Sequence, residues 1–155
     1  MKQKHTFDVL VAGGGHVGIE ASLISAKLGL RVLLVTIDTA AIGRMSCNPA
    51  IGGLAKGQIV REIDSLGGVM GKFSDKSGIQ FKMLNKKKGR SVWSPRAQVD
   101  KRKYEHLATS AINKASVKTI AGEVVSLVVD KYKIQGAVLR TGEKILCRSI
   151  IITCG

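Results

Sequence analysis

Phe7-Asp8-Val9-Leu10-Val11-Ala12-Gly13-Gly14-Gly15-His16-Val17-Gly18 decides how the rest of the chain is read. The first six residues form a short apolar run of strand length, rich in β-formers, and the next six are G-x-G-x-x-G. After them, Glu20 to Leu28 reads as a helix, with Ile19, Leu23 and Ala26 near helical spacing and Gly29 as its stop. Arg31 to Thr36 is a second buried-strand run. Strand, glycine turn, helix and strand within thirty residues is the context in which the fingerprint points to a dinucleotide site. Gly13 makes the sharp exit from the strand, Gly15 lets backbone approach a pyrophosphate, and Gly18 lets the helix pack close to the sheet. The N–H groups at the helix start then face the anion. The plainer alternative is a glycine-rich turn in some other α/β unit.

One part of the pattern is displaced. The acidic residue that holds a ribose hydroxyl belongs at the end of the second strand. That position is Thr36, and Asp38 follows two residues later. Either Asp38 serves from the loop, or hydroxyl and backbone groups hold the sugar.

The 155 residues, 45% of them hydrophobic, suffice for one compact domain with its own core. No apolar run is long enough to cross a membrane. The basic start, Met1 to His5, leads directly into the first strand, which argues against a signal peptide and for the cytoplasm. Cys47, Cys147 and Cys154 have no C-x-x-C spacing and no histidine at ligand distance in sequence, so reduced thiols are expected, with no metal site.

The formal charge of +14 is concentrated. Between Lys82 and Lys103 stand nine cations, Lys82, Lys86, Lys87, Lys88, Arg90, Arg96, Lys101, Arg102 and Lys103, against Asp100 alone, a net +8. Such a block attracts polyanions, nucleic acid above all, unless it is simply a solvated face. Trp93 within it either stacks on a base or, more ordinarily, anchors the loop.

Further along, residues 37–54 show no sustained period and read as a functional loop. Lys56 to Leu66 is a helix presenting Ile59, Ile63 and Leu66, and Ile79 to Met83 is an extended segment. Arg96 to Ala115 reads as a helix and Val117 to Ala121 as a strand. Glu123–Val129, Ile134–Arg140 and Lys144–Cys147 form an antiparallel meander, and Ser149–Thr153 is a final strand. The expected fold is a three-layer α/β domain around a parallel sheet of Phe7–Ala12, Arg31–Thr36, Val117–Ala121 and Ser149–Thr153, with the meander as its crossover.

Four further strings carry a resemblance to a known family: Met45-Ser46-Cys47-Asn48-Pro49-Ala50-Ile51-Gly52-Gly53, Lys56-Gly57, Glu62-Ile63-Asp64-Ser65-Leu66-Gly67-Gly68 and Gly78-Ile79-Gln80-Phe81. With the glycine turn, they closely resemble the N-terminal part of the MnmG, or GidA, family over nearly the whole chain. That family is the FAD-dependent part of the system placing a carboxymethylaminomethyl group on the wobble uridine of certain tRNAs. The resemblance implies a Rossmann-like FAD-binding domain, NADH as reductant, methylene-tetrahydrofolate as one-carbon donor, an MnmE-type GTPase as partner, and a homodimer at full length. It places Gly13, Gly14, Gly15, His16, Val17 and Gly18 on FAD and Val124 at the adenine through its backbone. It makes Cys47 a catalytic thiol, acting as a nucleophile on uracil or as a proton-transfer group. Arg44 beside it would favour the thiolate; a buried structural cysteine is the contrary reading.

Two departures stand out. Family members are several-fold longer, so residues 1–155 are expected to be a single-domain segment truncated after Gly155. Lys86-Lys87-Lys88 and Ser91-Val92-Trp93-Ser94 occupy the place of a less basic family segment. Two other functions stay open: a non-catalytic remnant binding nucleic acid through the basic window, and a flavin oxidoreductase of small molecules.

Overall fold

The computed structural model describes residues 6–154, so Met1 to His5 and the glycine ending the expected Thr-x-Gly turn lie outside the described residues. The chain forms two compact units. The first comprises residues up to Gly43 and from Thr109 onward, the second Arg44–Ala108.

In the first unit, β1 (Phe7–Ala12), β2 (Val32–Thr36), β6 (Lys118–Ala121), β7 (Val124–Asp130), β8 (Lys133–Leu139) and β9 (Lys144–Ile152) form a six-stranded sheet. Their order is β6-β2-β1-β9-β8-β7. β1 pairs parallel with β2 and with β9, and β2 with β6, as the apolar runs predicted. β1 from Val9 and β2 to Val35 are covered on both faces and have no polar side to show, which is why those runs are continuous in Val, Leu and Ala, whereas β6 and β9 keep exposed residues. Leu10, Ala12, Leu33 and Val35 pack in one buried cluster with Ala137, Leu139, Ile145 and Cys147, so the meander closes one face. Burial pushes the Cys147 thiol pKa up.

The meander's last strand corrects the sequence reading. Lys144–Cys147 and Ser149–Thr153 are not two strands but one, β9, interrupted only in appearance by the exposed Arg148-Ser149. Its first half pairs antiparallel with β8 and its second half parallel with β1. The helix after the glycine turn, α1 (His16–Lys27), begins four residues before Glu20. It buries Gly18, Ile19, Ser22 and Ser25, whereas Val17, Ile24 and Leu28 are exposed. The side toward its own unit is thus the small-residue face, which hydrophobic spacing does not find. Gly29, at φ +79°, ends the helix and donates its N–H to Ala26.

The second unit holds β3 (Ala50–Gly52), α2 (Lys56–Ser65), α3 (Met70–Ser77), β4 (Gly78–Leu84) and β5 (Ser94–Val99). Short 3-10 turns at Lys86–Lys88 and Arg90–Val92 link the last two strands. The strands form an antiparallel sheet in the order β3-β5-β4. β5 corrects the helix expected from Arg96, since α4 (Lys101–Lys114) starts only after Asp100. The Asp100 carboxylate accepts from Lys103 N–H at 3.0 Å and fixes that boundary. α4 buries Tyr104, Ala108 and Ile112, four residues apart. α2 buries Gly57 and Val60, while Ile59 and Leu66 of its expected face are exposed.

α3 escaped sequence reading for a physical reason. It buries Met70, Phe73, Ser74 and Ser77, a helical pattern half made of serines. Ser74 Oγ donates to Met70 O at 2.7 Å and Ser77 Oγ to Phe73 O at 2.6 Å, so both hydroxyls are satisfied inside the helix and bury without cost to a partner.

Candidate functional site

The glycine turn sits where β1 ends, and backbone packing holds it on several sides. Gly13 N–H donates to Val35 O at 2.8 Å, and Gly14 O accepts from Gly43 N–H at 3.0 Å. Thr153, just past β9, donates through Oγ1 to Ala12 O at 2.9 Å and Gly13 O at 3.1 Å, while its N–H donates to Ala12 O at 2.8 Å. Thr153 is the residue sequence reasoning missed here. Its only signal was the Thr-x-Gly ending of a strand 140 positions away.

The three fingerprint glycines differ in what surrounds them. Gly13 has φ +115°, and a Cβ there would lie 2.5 Å from Thr153 O. At Gly18 a Cβ would strike Gly13 O, so the first turn of α1 lies directly on the strand exit. At Gly15 a Cβ would meet nothing within 4 Å. Gly15 is also the N-cap of α1; no side chain caps that end, and no acidic residue stands in its first turn. The helix start thus combines a positive dipole end with open space at Gly15, the arrangement that suits a pyrophosphate.

The ends of neighbouring strands complete this edge. Thr36 O accepts from Gly122 N–H at 2.9 Å, so β2 leads to the corner that starts β7 at Val124. A double ion pair fixes that corner: Arg140 Nε and Nη2 reach the two Glu123 carboxylate oxygens at 2.6 and 2.7 Å. The Arg140 guanidinium draws the Glu123 pKa down. Asp38, one candidate for the ribose, uses Oδ1 to accept from Ala40 N–H at 2.8 Å and caps the 3-10 turn Thr39–Ala41.

In the second unit Cys47 is exposed, against the buried-cysteine reading. Arg44, put forward as the cation beside it, is in an ion pair with Glu105, Nε to Oε1 at 3.3 Å. Lys101 Nζ donates to the Cys47 carbonyl at 3.4 Å. Trp93 anchors its loop, with Nε1 donating to Lys86 O at 3.3 Å and Arg90 standing 5.9 Å from the ring centroid. Of the nine cations between Lys82 and Lys103, all but the half-buried Arg96 are exposed. Among the described residues no group of three His, Cys, Asp or Glu is placed to hold a metal, and no helix is long and apolar enough to cross a membrane.

A parallel sheet bearing a glycine turn under a helix start, with an antiparallel meander leading into its last strand, defines a Rossmann-like fold of the FAD-binding class. The chain belongs to the family described as glucose inhibited division protein A, which matches residues 8–155. It is 45% identical over 96% of its length to the tRNA uridine 5-carboxymethylaminomethyl modification enzyme MnmG of Endomicrobium trichonymphae. It is 48% identical over the same share to the MnmG of a Sulfurihydrogenibium species. Aquifex aeolicus GidA matches in structure with a TM-score of 0.91 at 45% identity, over 96% of this chain and 25% of that one. The flavin-dependent brominase Bmp2, at TM-score 0.62 and 21% identity, shares the fold alone. The chain spans about a quarter of the length of the relatives it matches, 25% and 24% of the two MnmG enzymes.

Proposed function

We propose that this chain is the FAD-binding segment of an enzyme that adds a carboxymethylaminomethyl group to the wobble uridine of certain tRNAs. One observation carries the reading: MnmG enzymes share nearly half of its residues across 96% of its length. The open space at Gly15 and the uncapped start of α1 fit the pyrophosphate of FAD. Gly13 to Gly18, His16 and Val17 included, would hold the pyrophosphate, and the Val124 backbone would hold the adenine. FAD, when bound, supplies hydride chemistry, with NADH as reductant. Methylene-tetrahydrofolate supplies the one-carbon unit, an MnmE-type GTPase is the partner, and the full-length enzyme is a cytoplasmic homodimer.

The protein's own contributions separate by unit. In the first, Thr153 and Glu123–Arg140 keep the cofactor edge in shape. In the second, the exposed cations draw in the tRNA backbone, and the Cys47 thiol acts on uracil as nucleophile or proton carrier. The isoalloxazine half of the site falls to later chain, so the 155 residues alone bind FAD weakly.

Two variants test this. Gly15→Val fills the open space with a branched side chain, and flavin retained by the purified variant defeats the cofactor site. Cys47→Ser in the full-length enzyme keeps FAD and tRNA affinity but loses single-turnover modification of bound tRNA, because a hydroxyl is a far poorer nucleophile at neutral pH. Modification at the normal rate would make the cysteine structural.

A further inference from the structure

We propose that a cavity of the second unit holds one ribonucleoside of a single-stranded RNA, with its flanking phosphate seated at Lys82 and Arg96. The cavity has a volume of about 440 Å³ and lies within residues 51–97. Phe81, Met83 and Ala97 of the three-stranded sheet form one wall, and Val60 and Asp64 of α2 and Asp75 of α3 another. Phe81 is 61% exposed although it stands at this wall. Its ring rests on Gly78, where a Cβ would strike the ring's Cζ. An aromatic ring braced by backbone on one side and open on the other is a stacking surface for a base. The carboxylates of Asp64 and Asp75 offer acceptors to base N–H groups and ribose hydroxyls.

The cations supply the second, independent observation. Register sets Lys82 directly opposite Arg96 in the antiparallel pair, a placement that like charges oppose. Among the described residues neither of them, nor Arg61, forms an ion pair. An anion at this point replaces repulsion with charge-assisted hydrogen bonds. By strand alternation, Lys82 and Arg96 lie on the face away from Phe81. Among the described residues β4 is an edge strand, so a chain crossing it meets the Phe81 ring on one face and Lys82 on the other, with Arg96 one strand further in. Both cations border the cavity. Immediately after β4 come Lys86, Lys87, Lys88 and Arg90, all exposed. A polymer with successive phosphates engages these and a single nucleotide does not, which selects RNA over a free cofactor.

The inference rests on the tRNA reading above, and its test separates the two. Fluorescein-labelled hexauridylate and an abasic hexamer are titrated with the chain by anisotropy at about 50 and 200 mM salt, with FAD in parallel. Phe81→Leu is expected to weaken hexauridylate binding by about five- to a hundredfold and to leave the abasic hexamer unchanged. Phe81→Trp, which keeps a stacking surface, retains wild-type affinity. Lys82→Gln with Arg96→Gln weakens both oligomers and flattens the salt slope by about two units. FAD affinity is the same in all variants. An unchanged hexauridylate affinity in Phe81→Leu, or an equal loss for both oligomers, overturns the proposal. A loss of FAD affinity in that variant gives the cavity to the cofactor and overturns it too. FAD binding by the wild-type chain with neither oligomer bound ends the inference and spares the flavoprotein reading; no binding of either ligand ends both.

Discussion

Two glycines near helix starts show how differently the two units are built. Gly18, in the first turn of α1, lies so close to Gly13 O that a methyl group has no place, and its neighbours there are backbone and the Thr153 hydroxyl. Gly57, in the first turn of α2, would put a methyl 3.0 Å from Pro95 O and 3.3 Å from the Pro95 ring, a contact that a shift of a few tenths of an ångström relieves. The caps differ in the same sense. α1 starts from an extended Gly15 with open space beside it. α2 starts from Ala55 at φ +62°, and burial lowers the pKa of the Lys56 that follows. The second unit has its own tight glycine at Gly52, where a Cβ would strike Pro95 O, but of the two helix starts that of α1 is shaped by sterics around a fixed turn and that of α2 has room to adjust. Mutations should therefore fail for different reasons in each.

The largest difference is expected from the glycines themselves. Gly18→Ala should cost about 3 kcal/mol or more, since backbone must move apart to admit the methyl group. Gly57→Ala should fall within about 1 kcal/mol of neutral, its mild crowding offset by alanine's better helix propensity. Denaturant unfolding of both variants measures the contrast, and equal losses would erase it.

A second test acts on charge alone. Replacing Lys86, Lys87 and Lys88 by Gln should leave stability nearly unchanged, because all three side chains are exposed on a short 3-10 turn. RNA affinity should fall and its dependence on salt should flatten by up to about three units. A stability loss with the salt slope preserved would make the turn structural.

The smallest effect is expected at Asp8. The Arg31 guanidinium, with Nε and Nη2 each 3.0 Å from a carboxylate oxygen, and the Arg31 N–H bring its pKa down to about 2. The folded pKa lies below the unfolded value, so this contribution is present above about pH 4 and is lost as the pH falls toward 2. Asp8→Asn should narrow the acid-induced loss of stability between those limits. Arg31 is exposed and water screens the pair, so the difference is small, and overlapping acid titration curves would show that it contributes nothing.

The same contrast explains what could be read from sequence. β1, β2 and the glycine turn are legible because full burial leaves apolar runs and a tight strand-to-helix turn leaves glycines at fixed spacing. In the second unit the signals are mixed. Arg96–Val99, the larger part of β5, reads as the start of a helix because Ala97 and Val99 are too few to display alternation, although Asp100 marks the true helix start. α3 hid behind serines that bond back to their own helix, and β3, three residues long, is too short to carry a pattern. At the candidate site, spacing singles out Gly13, Gly15 and Gly18, of which only Gly15 has open space beside it. Thr153 escapes sequence reading because its partners are the backbone oxygens of Ala12 and Gly13, about 140 residues earlier. The engagement of Arg44 with Glu105 depends on a helix whose start had been misplaced.

Because β9 closes against β1, and Thr153 then fastens the exit from β1, the glycine turn is completed by a segment made 140 residues after it. Gly13 leaves the ribosome 140 residues before Thr153, which at roughly 5–20 residues per second is an interval of about 7–30 s. Through that interval the glycine turn has neither its threonine nor the second parallel neighbour of its strand. The turn takes its final shape only once translation has passed β9, and a nascent chain stalled before that point displays a half-paired β1.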